Sequence, residues 1–193
     1  MNPLSHLKKK IVLASKSPRR QHLLKDLGVE FEIRTKEVEE VYPDHLKKEE
    51  VALYLSKLKA NAFSSCQNDN EIIITSDTIV CLEDRIIGKP KDREDAFHML
   101  SDLSGKMHEV ITAVTLLANE KQQSFYVVTE VYFKVLSNYE IDYYINTFQP
   151  FDKAGSYGIQ EWMGYIGIEK IVGSYFNVMG LPLKELYEAL EEF

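Results

Sequence analysis

The chain has 193 residues, 45% of them hydrophobic and 27% charged. That is enough for one domain of good size or two small lobes sharing a cleft, and too apolar for a chain that stays disordered as a whole. Lys+Arg 23 against Asp+Glu 30 gives a net charge of -7, which argues against duplex nucleic acid as a partner but leaves room for a small anion in a local basic pocket.

The first twenty residues hold Lys8-Lys9-Lys10 and then a short apolar run, Ile11-Val12-Leu13-Ala14. The run is too short for a signal-peptide core, and no stretch approaches the roughly 20 apolar residues of a membrane span. Cys66 and Cys81 form no C-x-x-C pair and have no histidine at zinc spacing; a disulfide framework and a structural zinc site are not expected. The expected address is the cytoplasm.

Ile11–Ala14 reads as a strand buried on both faces. Ser17-Pro18-Arg19-Arg20 then opens a helix through Leu23, Leu24 and Leu27, closed by Gly28, with Ser at the N-cap, Pro at the first helical position and Gly just past the end. A second amphipathic helix is predicted from about Glu49 to Phe63, with Val51, Tyr54, Leu55, Leu58 and Ala62 on the apolar face and Lys59 at its edge. Ile72-Ile73-Ile74 predicts another buried strand, ending at Thr75-Ser76-Asp77-Thr78 before Ile79–Leu82. Glu83-Asp84 turns the chain into Arg85-Ile86-Ile87, which Gly88-Lys89-Pro90 stops.

Asp92 is placed to cap a helix through Leu100 and Leu103, ended by Ser104-Gly105. Strands are predicted at Glu109–Leu117 and Phe125–Val135, the second in the half-exposed alternation of an antiparallel sheet. Ser137 and Glu140 have capping-box spacing for a short helix through Ile145. A glycine-rich stretch from Ala154 to Gly167 follows, then Gly180-Leu181-Pro182 and a final helix with Leu183, Leu186, Tyr187 and Leu190. Helices and strands interleave, so the class is mixed α/β around a mixed sheet, in one domain without a readable linker.

Three places could carry chemistry. At the junction of the first strand and helix, Lys16, Arg19 and Arg20 crowd the positive end of a helix macrodipole. The alternatives there are a solvated basic turn and an anion site, and the adverse charge placement favours an anion such as phosphate. Asp77, expected at a strand end, could hold a divalent cation or take a proton from water; an Asx-turn aspartate is an equal alternative. Gly88-Lys89-Pro90 sets a lysine between two backbone punctuators, either as a ligand or as a solvated turn residue. Lys59 alone reads as a snorkelling lysine. Glu37, Glu39 and Glu40 read as a solvated acidic run in which one member could hold a metal. No Walker loop, G-x-G-x-x-G or G-x-S-x-G motif is present.

Together, Leu13–Arg20, Lys59-Ala60, Ser76–Val80, Gly88–Pro90, Leu103–Gly105, Asp152–Gln160 and Gly180–Leu183 occur in an order that closely resembles the Maf family of nucleoside triphosphate pyrophosphatases, from about Ile11 to Leu190. The resemblance implies a long mixed central sheet with flanking helices, two lobes around a deep cleft, similar to the inosine triphosphatase architecture. It implies cleavage of a nucleoside triphosphate between the α and β phosphates with a divalent metal, Mg or Mn, and it implies homodimers as a common form. Asp77 is the implied proton acceptor. Ser15, Arg19, Arg20, Lys59 and Lys89 are implied to hold phosphates, Glu40 to be a metal or water partner beside Asp77, and Thr78 and Gln160 to contact substrate.

Within the family, Arg19, Thr78 and Gln160 resemble the branch acting on dTTP and UTP. A sister branch acting on 7-methyl-GTP has Trp, Gln and Glu at these positions. The amide of Gln160 both donates and accepts, which suits a pyrimidine's carbonyl–NH–carbonyl edge. The expected function is hydrolysis of dTTP, UTP and modified pyrimidine triphosphates. The alternatives are a purine triphosphate as main substrate, or a nucleotide-binding module affecting septum formation. Leu58, where an acidic residue is frequent, and Glu161-Trp162-Met163, where smaller residues are frequent, depart from the family pattern.

Overall fold

A computed structural model describes residue 4 and residues 7–65, 68–119 and 121–193. Cys66, named above in excluding disulfide and zinc sites, lies outside the described residues. Cys81 is buried in a strand. No helix among the described residues is long and apolar enough to cross a membrane.

β1 (Lys10–Leu13) pairs in parallel with β2 (Phe31–Ile33) and with β3 (Glu71–Leu82), so that Leu13 stands opposite both Ile33 and Ile74. β3 folds back through a tight turn onto β4 (Arg85–Ile87), antiparallel, with Cys81 opposite Ile86. β5 (Met107–Ala118), β6 (Lys121–Phe133) and β7 (Ile168–Val172) complete a seven-stranded mixed sheet in the order β2-β1-β3-β5-β6-β7, with β4 joined to β3 off that path. β7 runs antiparallel to β6. The helices are α1 (Pro18–Asp26), α2 (Lys48–Asn61), α3 (Arg93–Leu103), α4 (Asn138–Phe148), α5 (Trp162–Gly167), α6 (Tyr175–Met179) and α7 (Leu183–Glu191).

The chain divides into two compact units. One comprises the residues up to Asp77 with Thr112–Val127 and Gly180–Phe193. Its core includes Val12 and Ile73 from neighbouring strands and Ala60, Phe63 and Leu117 packed against them. The other comprises Thr78–Ile111 and Val128–Met179. Its core is built from Val80, Leu100, Val131, Phe133, Ile141, Tyr144 and Met163, among others.

Most predicted elements form where the residue pattern places them. Asp92 caps α3 by accepting from the Asp95 backbone N–H, and Ser137 and Glu140 close a reciprocal capping box at the start of α4. Three expectations are corrected. Thr75–Thr78 does not end a strand: β3 runs unbroken through it, because the hydroxyls and carboxylate there find partners inside the fold. The buried face of α2 is Val51, Ala52, Leu55, Ser56 and Ala60, while Tyr54 is exposed; two hydrogen-bonded polar positions, Ser56 and Lys59, turn the helix from its simplest apolar stripe. β6 begins at Lys121 and stops at Phe133, leaving Val135 exposed against Gly105, which has φ +67° and where a Cβ would come within 3.0 Å of a Val135 methyl. The short strands β2 and β7 and the five-residue α6 carry too little periodicity to be read from sequence.

Candidate active site

In the first unit, period-2 alternation along β3 sends Thr75 and Asp77 to one side and Ser76 to the other. Thr75 Oγ1 donates to the Ser56 carbonyl of α2 at 2.7 Å, and Ser56 Oγ meets Thr115 Oγ1 at 2.9 Å. These buried hydroxyls lock α2 onto the sheet. One step further on both elements, Lys59 Nζ donates to Asp77 Oδ1 at 2.5 Å. The same ammonium lies 2.9 Å from Glu40 Oε1, carried by the irregular segment between β2 and α2.

Asp77 is buried and Lys59 nearly so, whereas the Glu40 side chain is half exposed. Burial raises the Asp77 pKa above the usual carboxylate value; Lys59 and Arg20 oppose that rise without cancelling it, and Glu40 adds to it. A carboxylate so placed is more basic than one in water. That is what proton abstraction from a poor acid requires.

Arg20, in the first turn of α1, donates through Nε to the Gly180 carbonyl and through Nη1 to the Ser76 carbonyl, both at 2.8 Å. Ser76 Oγ donates to the same Gly180 carbonyl at 3.2 Å. Arg20 thus ties α1, β3 and the chain before α7 together while keeping a positive charge near Asp77. Desolvation lowers its pKa and Asp77 pushes it back up. Ser15 is buried and its Oγ accepts the Ser17 backbone N–H at 3.2 Å, ahead of a helix whose N-cap Ser17 makes no side-chain cap. Arg19 is half buried at the same helix start. Lys16 turns to solvent, 3.6 Å from the exposed Glu37. The adverse cluster of cations is therefore eased in part by the protein's own carboxylates and carbonyls.

Of the predicted site residues, this unit brings together Asp77, Lys59 and Glu40 around one ammonium, with Arg20 anchored to the residue before Asp77. Thr78, Lys89 and Gln160 belong to the second unit. Thr78 is half buried, and Lys89 is exposed in the loop after β4. That loop is pinned where the Gly155 N–H donates to the Gly88 carbonyl at 3.0 Å. Gly155 itself has φ +70° and lies against Val80, where a Cβ would come within 3.0 Å of a methyl. The half-buried Gln160 has its Oε1 buried without a hydrogen-bond partner.

Sequence reading missed Ser56, Thr75 and Thr115, whose bonds set the Lys59–Asp77 register. The signal was there in the pairing of i,i+2 polar residues on a strand with i,i+3 polar residues on a helix. It also missed Lys153, buried between Asp152 at 2.7 Å and Glu161 at 3.1 Å.

Glu40 and Asp77 supply hard oxygen donors of the kind Mg and Mn take. Among the described residues no group of three or more His, Cys, Asp or Glu side chains converges. An ion held by these two carboxylates would draw its remaining ligands from water and phosphate oxygens, as Mg commonly does, and would share them with the Lys59 ammonium that bridges the pair.

The dTTP/UTP pyrophosphatase of Phocaeicola vulgatus is 54% identical over 191 residues, spanning 98% of this chain and 99% of that protein. The dTTP/UTP pyrophosphatase of Bacteroides fragilis is 52% identical over 184 residues, 95% of each chain. Among solved structures, the nucleoside-triphosphatase / dITP/XTP pyrophosphatase of Mycobacterium abscessus is similar over 64% of this chain and 74% of that one, at 15% identity and a TM-score of 0.40. Residues 10–193 match the family described as Maf-like protein; the chain belongs to the Maf family.

Proposed function

We propose that this protein is a nucleoside triphosphate pyrophosphatase acting on dTTP, UTP and modified pyrimidine triphosphates, with 1–193 working as one Maf-like domain in the cytoplasm, as a homodimer. The observation that carries the reading is the buried Asp77 carboxylate, made more basic by desolvation and held in place by the Lys59 ammonium with Arg20 nearby. The relatives that match nearly the whole chain at about half identity are dTTP/UTP pyrophosphatases.

In this reading Asp77 takes a proton from a water molecule as the water oxygen bonds to the α phosphorus. The α–β bridging oxygen leaves with pyrophosphate, and the nucleoside monophosphate remains. Catalysis of this kind rests on positioning and on charge stabilisation at phosphate oxygens. Lys59 orients Asp77 and, with Arg19, Arg20 and Lys89, supplies positive charge to the phosphates; Ser15 adds a hydroxyl at the start of α1. Glu40 and Asp77 would hold a divalent cation, Mg or Mn, which when bound neutralises charge on the triphosphate. Thr78 and Gln160 contact the nucleoside, and Gln160 reads the base edge.

A panel of nucleoside triphosphates with Mg or Mn, scored for pyrophosphate and monophosphate, tests this. Pyrophosphate released fastest from dTTP and UTP is the expected result. Preference for 7-methyl-GTP or another purine would move the substrate to the sister branch. Orthophosphate as first product would shift cleavage to the γ position, and tight binding without turnover would leave a binding module.

A further inference from the structure

Glu161 stands where the chain departs from the family's smaller residues, and each of its carboxylate oxygens has a partner within the second unit. The Tyr144 hydroxyl donates to Glu161 Oε2, and the buried Lys153 ammonium lies 3.1 Å from Oε1. Gly158 sits directly beneath: a Cβ there would come within 2.8 Å of the Glu161 carboxyl carbon and about as close to both oxygens. The Tyr144 oxygen also accepts the Gly158 N–H at 3.0 Å, and the Gly158 carbonyl accepts the Glu161 N–H at 3.1 Å. Gln160 lies inside this closed turn, with its backbone carbonyl held by the Tyr165 hydroxyl at 2.6 Å and its Oε1 buried and unmatched.

We propose that Glu161 is a positioning residue for base recognition: clamped by Tyr144 and Lys153 and seated on Gly158, it fixes the turn that presents the Gln160 amide to the pyrimidine edge. This rests on Gln160 reading the base, as set out above. A buried acceptor without a partner is costly to keep in place unless its surroundings are rigid and a ligand N–H completes it. The uracil or thymine ring offers such an N–H between its two carbonyls, whereas a cytosine ring does not. Glu161 touches no substrate in this scheme; its effect runs through the orientation of its neighbour.

The test compares Gln160→Ala, Glu161→Ala, Glu161→Gln and the double Ala variant, using UTP and CTP as probes and thermal unfolding as a control. Glu161→Ala should raise KM for UTP about tenfold, the worth of one misaligned hydrogen bond, with kcat within about twofold, and should narrow the preference for UTP over CTP. Glu161→Gln, which keeps the size and can still accept from Tyr144, should recover part of that preference; it also carries the test if the Ala variant does not fold. In the Gln160→Ala background the Glu161 change should have no further effect on KM. Additive losses, or an unchanged KM with Gln160→Ala impaired, would overturn the clamp and leave the base contact standing. A Gln160→Ala variant with unaltered UTP over CTP preference would instead sink the base contact, and the clamp with it.

Discussion

Both units contain a lysine held between two carboxylates, and the two arrangements differ in what surrounds the buried acid. In the first unit Lys59 bridges Asp77 and Glu40; in the second Lys153 bridges Asp152 and Glu161. Glu161 has a tyrosine hydroxyl on its second oxygen and a glycine beneath it, so both carboxylate oxygens are engaged, and in the proposed scheme it serves as a fixed strut. Asp77 has its burial answered by ion pairing rather than by a ring of neutral donors, and desolvation still wins. In the proposed scheme the same residue types make a base in one place and a clamp in the other. What separates them is how many hydrogen-bond donors the carboxylate already has.

The comparison breaks most sharply at Asp77. Asp77→Asn should lower turnover by about 10²–10⁴ with folding retained, as measured by pyrophosphate release and thermal unfolding, because an amide cannot take the proton. A variant that kept wild-type rates would remove Asp77 from the chemistry. Exchanging the two lysines for methionine should separate them in catalysis. Lys153→Met leaves the largely buried Glu161 without its cation and should cost about 3 kcal/mol of stability in denaturant unfolding, with kcat within about twofold. Lys59→Met strips the cation from Asp77, which is more deeply buried than Glu161, so it should cost stability as well and in addition lower kcat/KM by about 10². An equal loss of kcat in both variants would erase the distinction.

The pH dependence sharpens the same contrast with smaller effects. His108 in the second unit is buried against Phe133 and Tyr157, its Nε2 is 2.7 Å from the Tyr157 hydroxyl, and burial pulls its pKa down from 6.5 to about 4. The unfolded chain therefore binds a proton that the folded chain refuses between these values. His108's part of the stability is intact above pH 6.5 and falls as the pH drops toward 4, by at most about 1.4 kcal/mol per pH unit. Unfolding curves for His108→Gln across that window should be flatter than wild type; an equal slope would place the acid sensitivity elsewhere.

In the first unit the pH signature should appear in catalysis. Asp77 works ionised and its pKa is raised, so kcat/KM should climb with pH through a midpoint above the usual carboxylate range. Lys59→Met should move that midpoint further up, since the ammonium opposes the rise. A midpoint unmoved in that variant would assign the limb to another group. Glu71 is the reverse case, a carboxyl drawn down to about 2 by the paired Arg34 guanidinium, with both nitrogens at 2.9 Å. Its stabilising effect is present above pH 4.5 and is lost as the pH falls toward 2.

Much of this molecule was legible from its residues. The apolar run Ile11–Leu13 and the triplet Ile72–Ile74 became neighbouring strands, and the caps at Asp92 and Ser137 formed as spaced, because these signals are local and need only the nearest turn of backbone. Asp77, Lys59 and Glu40 could be singled out from motif resemblance, yet a strand aspartate, a helix lysine and a loop glutamate say nothing in isolation about one another. Chain distance hid their encounter. The hydroxyl ladder from Thr75 through Ser56 to Thr115 left only its polar spacing as a signal, since single polar residues in apolar elements look like flaws until their partners are known.

By itself the sequence determined the alternation of elements, the helix boundaries with strong caps, the acidic overall charge and the membership of motifs in one ordered set. Tertiary structure alone decided that β3 runs through Asp77 rather than ending there, that α2 turns Lys59 inward, and that Arg20 anchors backbone carbonyls beside a buried carboxylate. The reason is physical: propensity and capping act over a few residues, whereas desolvation and ion pairing depend on which distant groups the folded chain brings within a few ångströms.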